Sequence, residues 1–272
     1  MVGGKRQRGR HSLMGSHQKC WLWGRHVVLE TLQARRWKPH VVWISTELGA
    51  PLRREILAVA SDTGVTTEDH APAEMTRRCG STDHQGLIAQ MPPFPYHDAA
   101  AVIDSAADCP VFAVLDGIQD PFNFGALLRA ADVFGVDGVF VGRQNQSAVT
   151  AQVVRSSAGA INHVRLSEVD DLCELSAELE SLGVALIAAA EGAERTSLEH
   201  DFTRPLALII GNEGRGIHPE LLAACAGSVR IPQWGRVSSL NAAMAAGILL
   251  YEIRRQRTAQ AGVECGVNQN SD

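Results

Sequence analysis

Residues Val111–Arg129 read VFAVLDGIQDPFNFGALLR. The unbroken apolar run from Val111 to Leu115 suits a strand buried on both faces, as in a parallel sheet. Asp116 to Pro121 then supplies turn-forming residues. Helical spacing of apolar residues follows from Phe124 to Phe134. A buried strand, a loop and a helix in that order make the opening of a βαβ unit.

The same alternation continues toward the C-terminus. Strands are predicted at Gly138–Val141, His163–Leu166, Val184–Ala189, Leu206–Ile210 and Ser228–Ile231. Helices are predicted at Val149–Ser157, Val169–Leu182, His218–Cys225 and Leu240–Arg255. The expected fold is α/β, with a parallel sheet flanked by helices, over residues 110–258. Residues 259–272 read as a disordered tail.

Toward the N-terminus a smaller α/β unit spans residues 20–95. Its helices are expected at Arg25–Leu32, Leu52–Ala60 and Pro72–Cys79, and its strands at His40–Ile44, Val65–Thr67 and Gly86–Ala89. Arg25, Arg35, Arg36, Lys38, Arg53 and Arg54 give it a basic character, which suits selection of RNA. Pro92–Pro95 breaks regular structure, and 96–109 reads as a linker. Residues 1–19 carry Lys5, Arg6, Arg8, Arg10 and Lys19 without an acid, and read as a disordered basic arm able to meet phosphates.

Composition narrows the function. The chain of 272 residues is 45% hydrophobic and 20% charged, which excludes wholesale disorder. Its net charge of −5 excludes a protein that coats nucleic acid by bulk positive charge, while leaving room for local basic patches. The six cysteines form no CxxC pair and no zinc-type cluster with histidine, so reduced thiols and no metal are expected. No apolar run reaches the ~18 residues of a membrane span, and the basic N-terminus lacks the apolar core of a signal peptide. A cytoplasmic protein is the expectation.

Open parallel sheets bind ligands at the carboxyl ends of their strands, so the loops after Leu115, Ala189, Ile210 and Ile231 are the places to search. The first leads to Asn123, which reads as a helix cap, and to Arg129. Six residues further along, Arg129 is expected on a roughly similar side of the helix, a lone cation among Ala126, Leu127, Leu128, Ala130 and Ala131. The second is Gly211-Asn-Glu213-Gly-Arg-Gly216, whose glycine spacing is not that of a dinucleotide fingerprint. The third is Ile231-Pro-Gln-Trp-Gly-Arg-Val-Ser-Ser239-Leu240-Asn241, opening the last helix. Ser and Asn at a helix start commonly cap it. No Walker A sequence and no G-x-S-x-G elbow is present, which disfavours phosphoryl transfer and a serine hydrolase.

Asn123 to Arg129, Gly211-Asn-Glu213-Gly, and Ile231-Pro to Ser239-Leu-Asn241 resemble motifs 1, 2 and 3 of the SpoU (TrmH-like) RNA ribose 2′-O-methyltransferases. They occur in order over about 110–257. Gly24-Arg-His-Val-Val and His84-Gln-Gly86 resemble the substrate-binding domain of the RlmB-like branch that modifies 23S rRNA. One departure is that Ala242 and Ala243 follow Asn241, where the family has valine and serine. The resemblance implies a C-terminal trefoil knot, S-adenosylmethionine as cofactor, an RNA substrate and a homodimer. It implies Arg129 as catalytic residue, supported by Asn123, Glu213, Ser239 and Asn241. It places cofactor contacts at Gly211, Ile231 and Leu240, with the loop after Ala189 as a further candidate. The target expected is a guanosine of 23S rRNA. The alternatives are a tRNA or an antibiotic-resistance site on rRNA, or an RNA-binding protein of this fold without turnover. A small-residue surface at Ala242, Ala243, Ala245, Ala246 and Gly247 permits close packing, either within the chain or across a dimer.

Overall fold

A computed structural model describes residues 21–236 and 239–262. The basic arm at 1–19 and most of the expected tail, 263–272, lie outside the described residues. The chain divides into two compact units, Met1–Pro93 and Phe94–Asp272.

The N-terminal unit runs β1 (Trp21–Trp23), α1 (Arg25–Ala34), β2 (Val41–Ser45), α2 (Ala50–Thr63), β3 (Thr66–His70), α3 (Pro72–Cys79) and β4 (Leu87–Gln90). Its sheet has the order β1-β4-β2-β3, with β2 and β3 parallel and the other pairs antiparallel. β1 was not foreseen, because three residues are too few to display alternation. Trp21, Trp43, Met75, Cys79 and Ile88 form one buried cluster, and the Arg78 guanidinium lies 5.6 Å and 5.2 Å from the Trp21 and Trp43 rings. The basic character expected of this unit does not hold: residues 21–93 carry eight Lys and Arg against eight Asp and Glu, and several of them pair. Arg25 pairs with Glu55, Arg35 with Asp62, and Arg53 with Asp69.

The C-terminal unit runs α4 (Ala99–Asp104), β5 (Val111–Asp116), α5 (Pro121–Val133), β6 (Gly138–Gly142), α6 (Ala151–Ser156), a 3-10 turn (Ala160–Asn162), β7 (Leu166–Val169), α7 (Leu172–Ser181), β8 (Ala185–Ala189), β9 (Arg195–Thr196), β10 (Leu206–Gly211), α8 (Pro219–Ala223), β11 (Gly227–Arg230) and α9 (Ala242–Gln260). The seven strands form one sheet in the order β7-β6-β5-β10-β8-β11-β9, and every pair is parallel. The core joins Phe112, Val114, Phe140, Leu186 and Ile209 to Leu175 and Leu179 of α7. The Phe112 and Phe140 rings meet edge to face at 5.5 Å.

Three local expectations are corrected. The stretch read as a linker contains α4, whose Asp98 side chain caps it by accepting from the Ala101 N–H and whose Val102 is buried in the core. The strand expected at His163–Leu166 lies at Leu166–Val169. It is an edge strand, and Ser167 and Glu168 there mimic the start of a helix in the sequence pattern. Helical structure also extends through Gln260, into the segment read as a tail. Among the described residues, no helix is long and apolar enough to cross a membrane.

α9 packs on α5 and β10, and its second half is tied down by polar contacts. The Arg257 guanidinium donates to the carbonyls of Cys109, Pro110, Phe202 and Arg204, spanning the starts of β5 and β10. Arg254 donates to the Phe134 and Gly135 carbonyls. Buried Glu252 accepts two hydrogen bonds of 2.8 Å from Arg255 and one of 2.8 Å from Gln256. The Arg255 guanidinium holds the Glu252 carboxyl below the usual carboxylate range, against the opposing effect of burial.

A carboxyl whose native pKa is depressed stabilises the fold above its unfolded value and loses that contribution as pH falls through the native value. Glu252→Gln is therefore expected to lower stability at pH 7 by roughly 1–3 kcal/mol. The gap to the wild type should close as pH drops below the ordinary carboxylate range. Chemical denaturation at a series of pH values measures this; a gap that does not change with pH refutes it.

Candidate active site

β10, β8 and β11 are neighbours, so their carboxyl ends leave the sheet side by side. The loops beyond them enclose a cavity of about 530 Å³, within the range of small-molecule sites. Its walls include Ala189, Gly211, Ile231 and Leu240, the residues singled out for cofactor contact. Glu213 and Ser239 also line it. Arg230, Gln233 and Leu249 were not foreseen there; nothing in their local sequence distinguishes a cavity wall from an ordinary strand end or helix face.

Gly211 shows why the second motif needs glycine. A Cβ at this position would stand 2.3 Å from the Gly216 carbonyl carbon and 2.4 Å from the Ile217 nitrogen. The chain doubles back here, with Asn212 and Gly216 exchanging backbone hydrogen bonds of 3.0 Å and 2.8 Å. The Asn212 side chain fixes the turn. Its Oδ1 accepts from the Gly214 and Arg215 N–H groups, and its Nδ2 donates to the Gly117 carbonyl at 2.8 Å. Sequence reasoning passed over Asn212; its signal was an amide side chain opening a glycine-rich turn. The loop is further joined to β5, since the His218 N–H donates to Asp116 Oδ2 at 2.6 Å.

Asn123 does not cap α5. Asp120 does, accepting from the Phe122 N–H at 3.0 Å, and Asn123 lies in the first turn. Its Nδ2 donates to Glu213 Oε1 at 2.6 Å, and its Oδ1 accepts from Asn241 Nδ2 at 2.7 Å. Asn241 caps α9, its Oδ1 accepting from the Ala243 and Met244 N–H groups. The polarity of this chain is fixed from one end. Both helix N–H groups require the Asn241 oxygen, so its nitrogen faces Asn123, and the Asn123 nitrogen then faces the Glu213 carboxylate. The last link is charge-assisted. One residue from each of the three motifs is thereby joined, although Asn123 is 90 positions from Glu213 and 118 from Asn241.

Arg129 stands apart from this set. Helical turns of about 100° per residue put it roughly 120° around α5 from Asn123 and ~9 Å along the axis, not on a similar side. It is exposed, and no hydrogen bond or ion pair from the described residues occupies its guanidinium.

The SpoU rRNA Methylase family model matches residues 110–251, and the model for RNA 2′-O ribose methyltransferase substrate binding matches 21–97. The chain belongs to the SpoU family of RNA methyltransferases. A protein named for the TrmH family of tRNA/rRNA methyltransferases, YacO of Bacillus subtilis, is 29% identical over 89% of this chain and 98% of its own length. Another so named, from Staphylococcus haemolyticus, is 33% identical over 86% of this chain and 94% of its own. The SpoU methyltransferase AviRb from Streptomyces viridochromogenes, crystallised with the cofactor AdoMet, superposes with a TM-score of 0.76 at 25% identity, covering 89% of this chain and 92% of that one.

Substituting Gly211 tests the close approach on which the cavity depends. Gly211→Ala forces backbone to move, and is expected to cost roughly 1–3 kcal/mol of stability. Denaturant unfolding measures this, and an unchanged midpoint would show that the turn is not so tightly closed.

Proposed function

We propose that this enzyme transfers the methyl group of S-adenosylmethionine to a ribose 2′-oxygen of RNA, with a guanosine of 23S rRNA as the target and the cytoplasm as its place of work. The observation that carries this reading is the cavity bordered by Gly211, Ile231 and Leu240, with Glu213 on its wall tied to Asn123 and, through it, to Asn241. Its features fit the cofactor: apolar Ile231, Leu240 and Leu249 on the wall suit an adenine ring. The trefoil knot belongs to the same reading. It is supported by α9 packing on α5 and β10 after the chain has passed through β11 on the far side of β8.

When bound, the cofactor would supply a sulfonium methyl: the C–S bond would break with its electron pair going to sulfur as the 2′-oxygen bonds the carbon, and the hydroxyl proton would pass to solvent water. The protein's share is to place that oxygen and manage the charge it develops. Arg129, exposed and unpaired among the described residues, clamps an RNA phosphate and stabilises negative charge on the oxygen; a guanidinium offers donors and no acceptor, which suits a clamp and not a base. Asn123, Glu213 and Asn241 hold the motif loops in register, and Ser239 presents a hydroxyl at the cavity wall.

A homodimer is part of the proposal, but not through the small residues of α9. Ala242 and Ala246 are buried within the chain. The opposite stripe, Met244, Ile248 and Tyr251, is exposed at helical spacing and offers a larger apolar face.

Calorimetry should give one S-adenosylhomocysteine site per chain and none for NAD; the reverse would overturn the reading. Arg129→Lys and Arg129→Ala should each lose about a hundredfold or more in single-turnover methyl transfer while keeping cofactor affinity and thermal stability. Near-normal turnover in Arg129→Ala would remove its assignment. Ile248→Asp should convert the dimer to monomer in light scattering, and a wild type that is monomeric at micromolar concentration would refute the dimer.

A further inference from the structure

Trp234 is the most exposed large apolar side chain among the described residues, at 89%. Single exposed apolar residues are common and need no explanation by themselves. The position of this one sets it apart. It sits on the loop that carries Ile231, Gln233 and Ser239, all on the wall of the cavity. Exposed Arg236 lies two positions on, after Gly235, and Arg230 on the cavity wall precedes the loop. Among the described residues, a Cβ on Gly235 would meet nothing within 4 Å. The other tryptophans, Trp21, Trp23, Trp37 and Trp43, are buried or half-buried in the N-terminal unit.

An aromatic plane beside cationic groups is the arrangement by which proteins hold an unpaired nucleotide: the base stacks on the ring and the phosphate meets the guanidinium. Every base offers a π-face, so such a platform needs no particular sequence. Chemistry on a ribose 2′-oxygen also requires a nucleotide exposed enough for that oxygen to enter the cavity. We infer that Trp234 is a substrate-positioning residue, stacking on an unpaired base of the RNA at or beside the methylated nucleotide, with Arg236 on its phosphate. This inference rests on the proposed RNA 2′-O-methyl transfer.

Two readouts separate the inference from that reading. The first needs no turnover. The other four tryptophans lie in the N-terminal unit, so the difference in emission between the wild type and Trp234→Phe reports on this loop. Titration with a single-stranded adenylate dodecamer should quench that emission in the wild type and leave Trp234→Phe without the response. No quenching in the wild type overturns the inference. The second is methyl transfer to unmodified rRNA. Trp234→Ala and Trp234→Leu should raise KM for RNA roughly tenfold or more, and Trp234→Phe should restore most of it. S-adenosylhomocysteine affinity should stay the same in all three. A KM that does not change in Trp234→Ala, or a Trp234→Leu variant as good as Phe, overturns stacking. Dissociation of a dimer by Trp234→Ala in sedimentation also overturns it, by making the residue a subunit contact. A wild type that quenches with the dodecamer yet methylates neither rRNA nor tRNA retains the base platform and refutes the proposed activity.

Discussion

The amide of Asn123 holds the site together. It donates to Glu213 and accepts from Asn241, and so joins the first turn of α5, the turn after β10 and the cap of α9. An amide suits this place because it donates and accepts in one plane. Aspartate would set a second carboxylate against Glu213, and leucine would leave both partners unpaired. The Asn241 oxygen is committed to two helix N–H groups, so the chain can run in only one direction. Capping and site-building are therefore one interaction, not competing explanations for Asn241.

That interaction depends on the sheet beneath it. β10 lies between β5 and β8, and β11 beside β8, so loops distant in sequence emerge at one edge. The packing is close enough to dictate residue size. Gly211 has no room for a Cβ against the Gly216–Ile217 backbone. Gly125 of α5 likewise has none against Ser156 Oγ and the Val153 carbonyl of α6. α5 is thus fixed on one side by α6 and on the other by α9, and Asn123 is delivered to a defined point. The carbonyl contacts of Arg257 and Arg254, with the Glu252–Arg255–Gln256 group, hold α9 in the matching position. These groups act on the site through the helix they anchor.

The division of labour between the units follows their chemistry. Every motif residue lies in the C-terminal unit. The N-terminal unit contributes a small mixed sheet with several arginines, of which Arg25, Arg35 and Arg53 pair with carboxylates. Counting the cations alone overstated its positive charge: residues 21–93 hold eight Lys and Arg against eight Asp and Glu, and the fold then sets some of them side by side, as Arg53 on Asp69.

What the sequence determined by itself was whatever depends on local pattern. The apolar runs of β5, β8 and β10 announced buried parallel strands, the three motifs announced the family and Gly211, Ile231 and Leu240 on the cavity wall, and the end of β8 offered Ala189. What it missed depends on partners far along the chain. The edge strand β7 is half polar, and α4 is too short to show a period, so neither has a clear local signature. Asn123 looked like a cap because its true partners are 90 and 118 positions away. The exposure of Met244, Ile248 and Tyr251, the burial of Ala242 and Ala246, and the isolation of Trp234 were decided by which side of each element the tertiary packing covered. Residue type fixes what a side chain can do, and only the packed fold fixes what it meets.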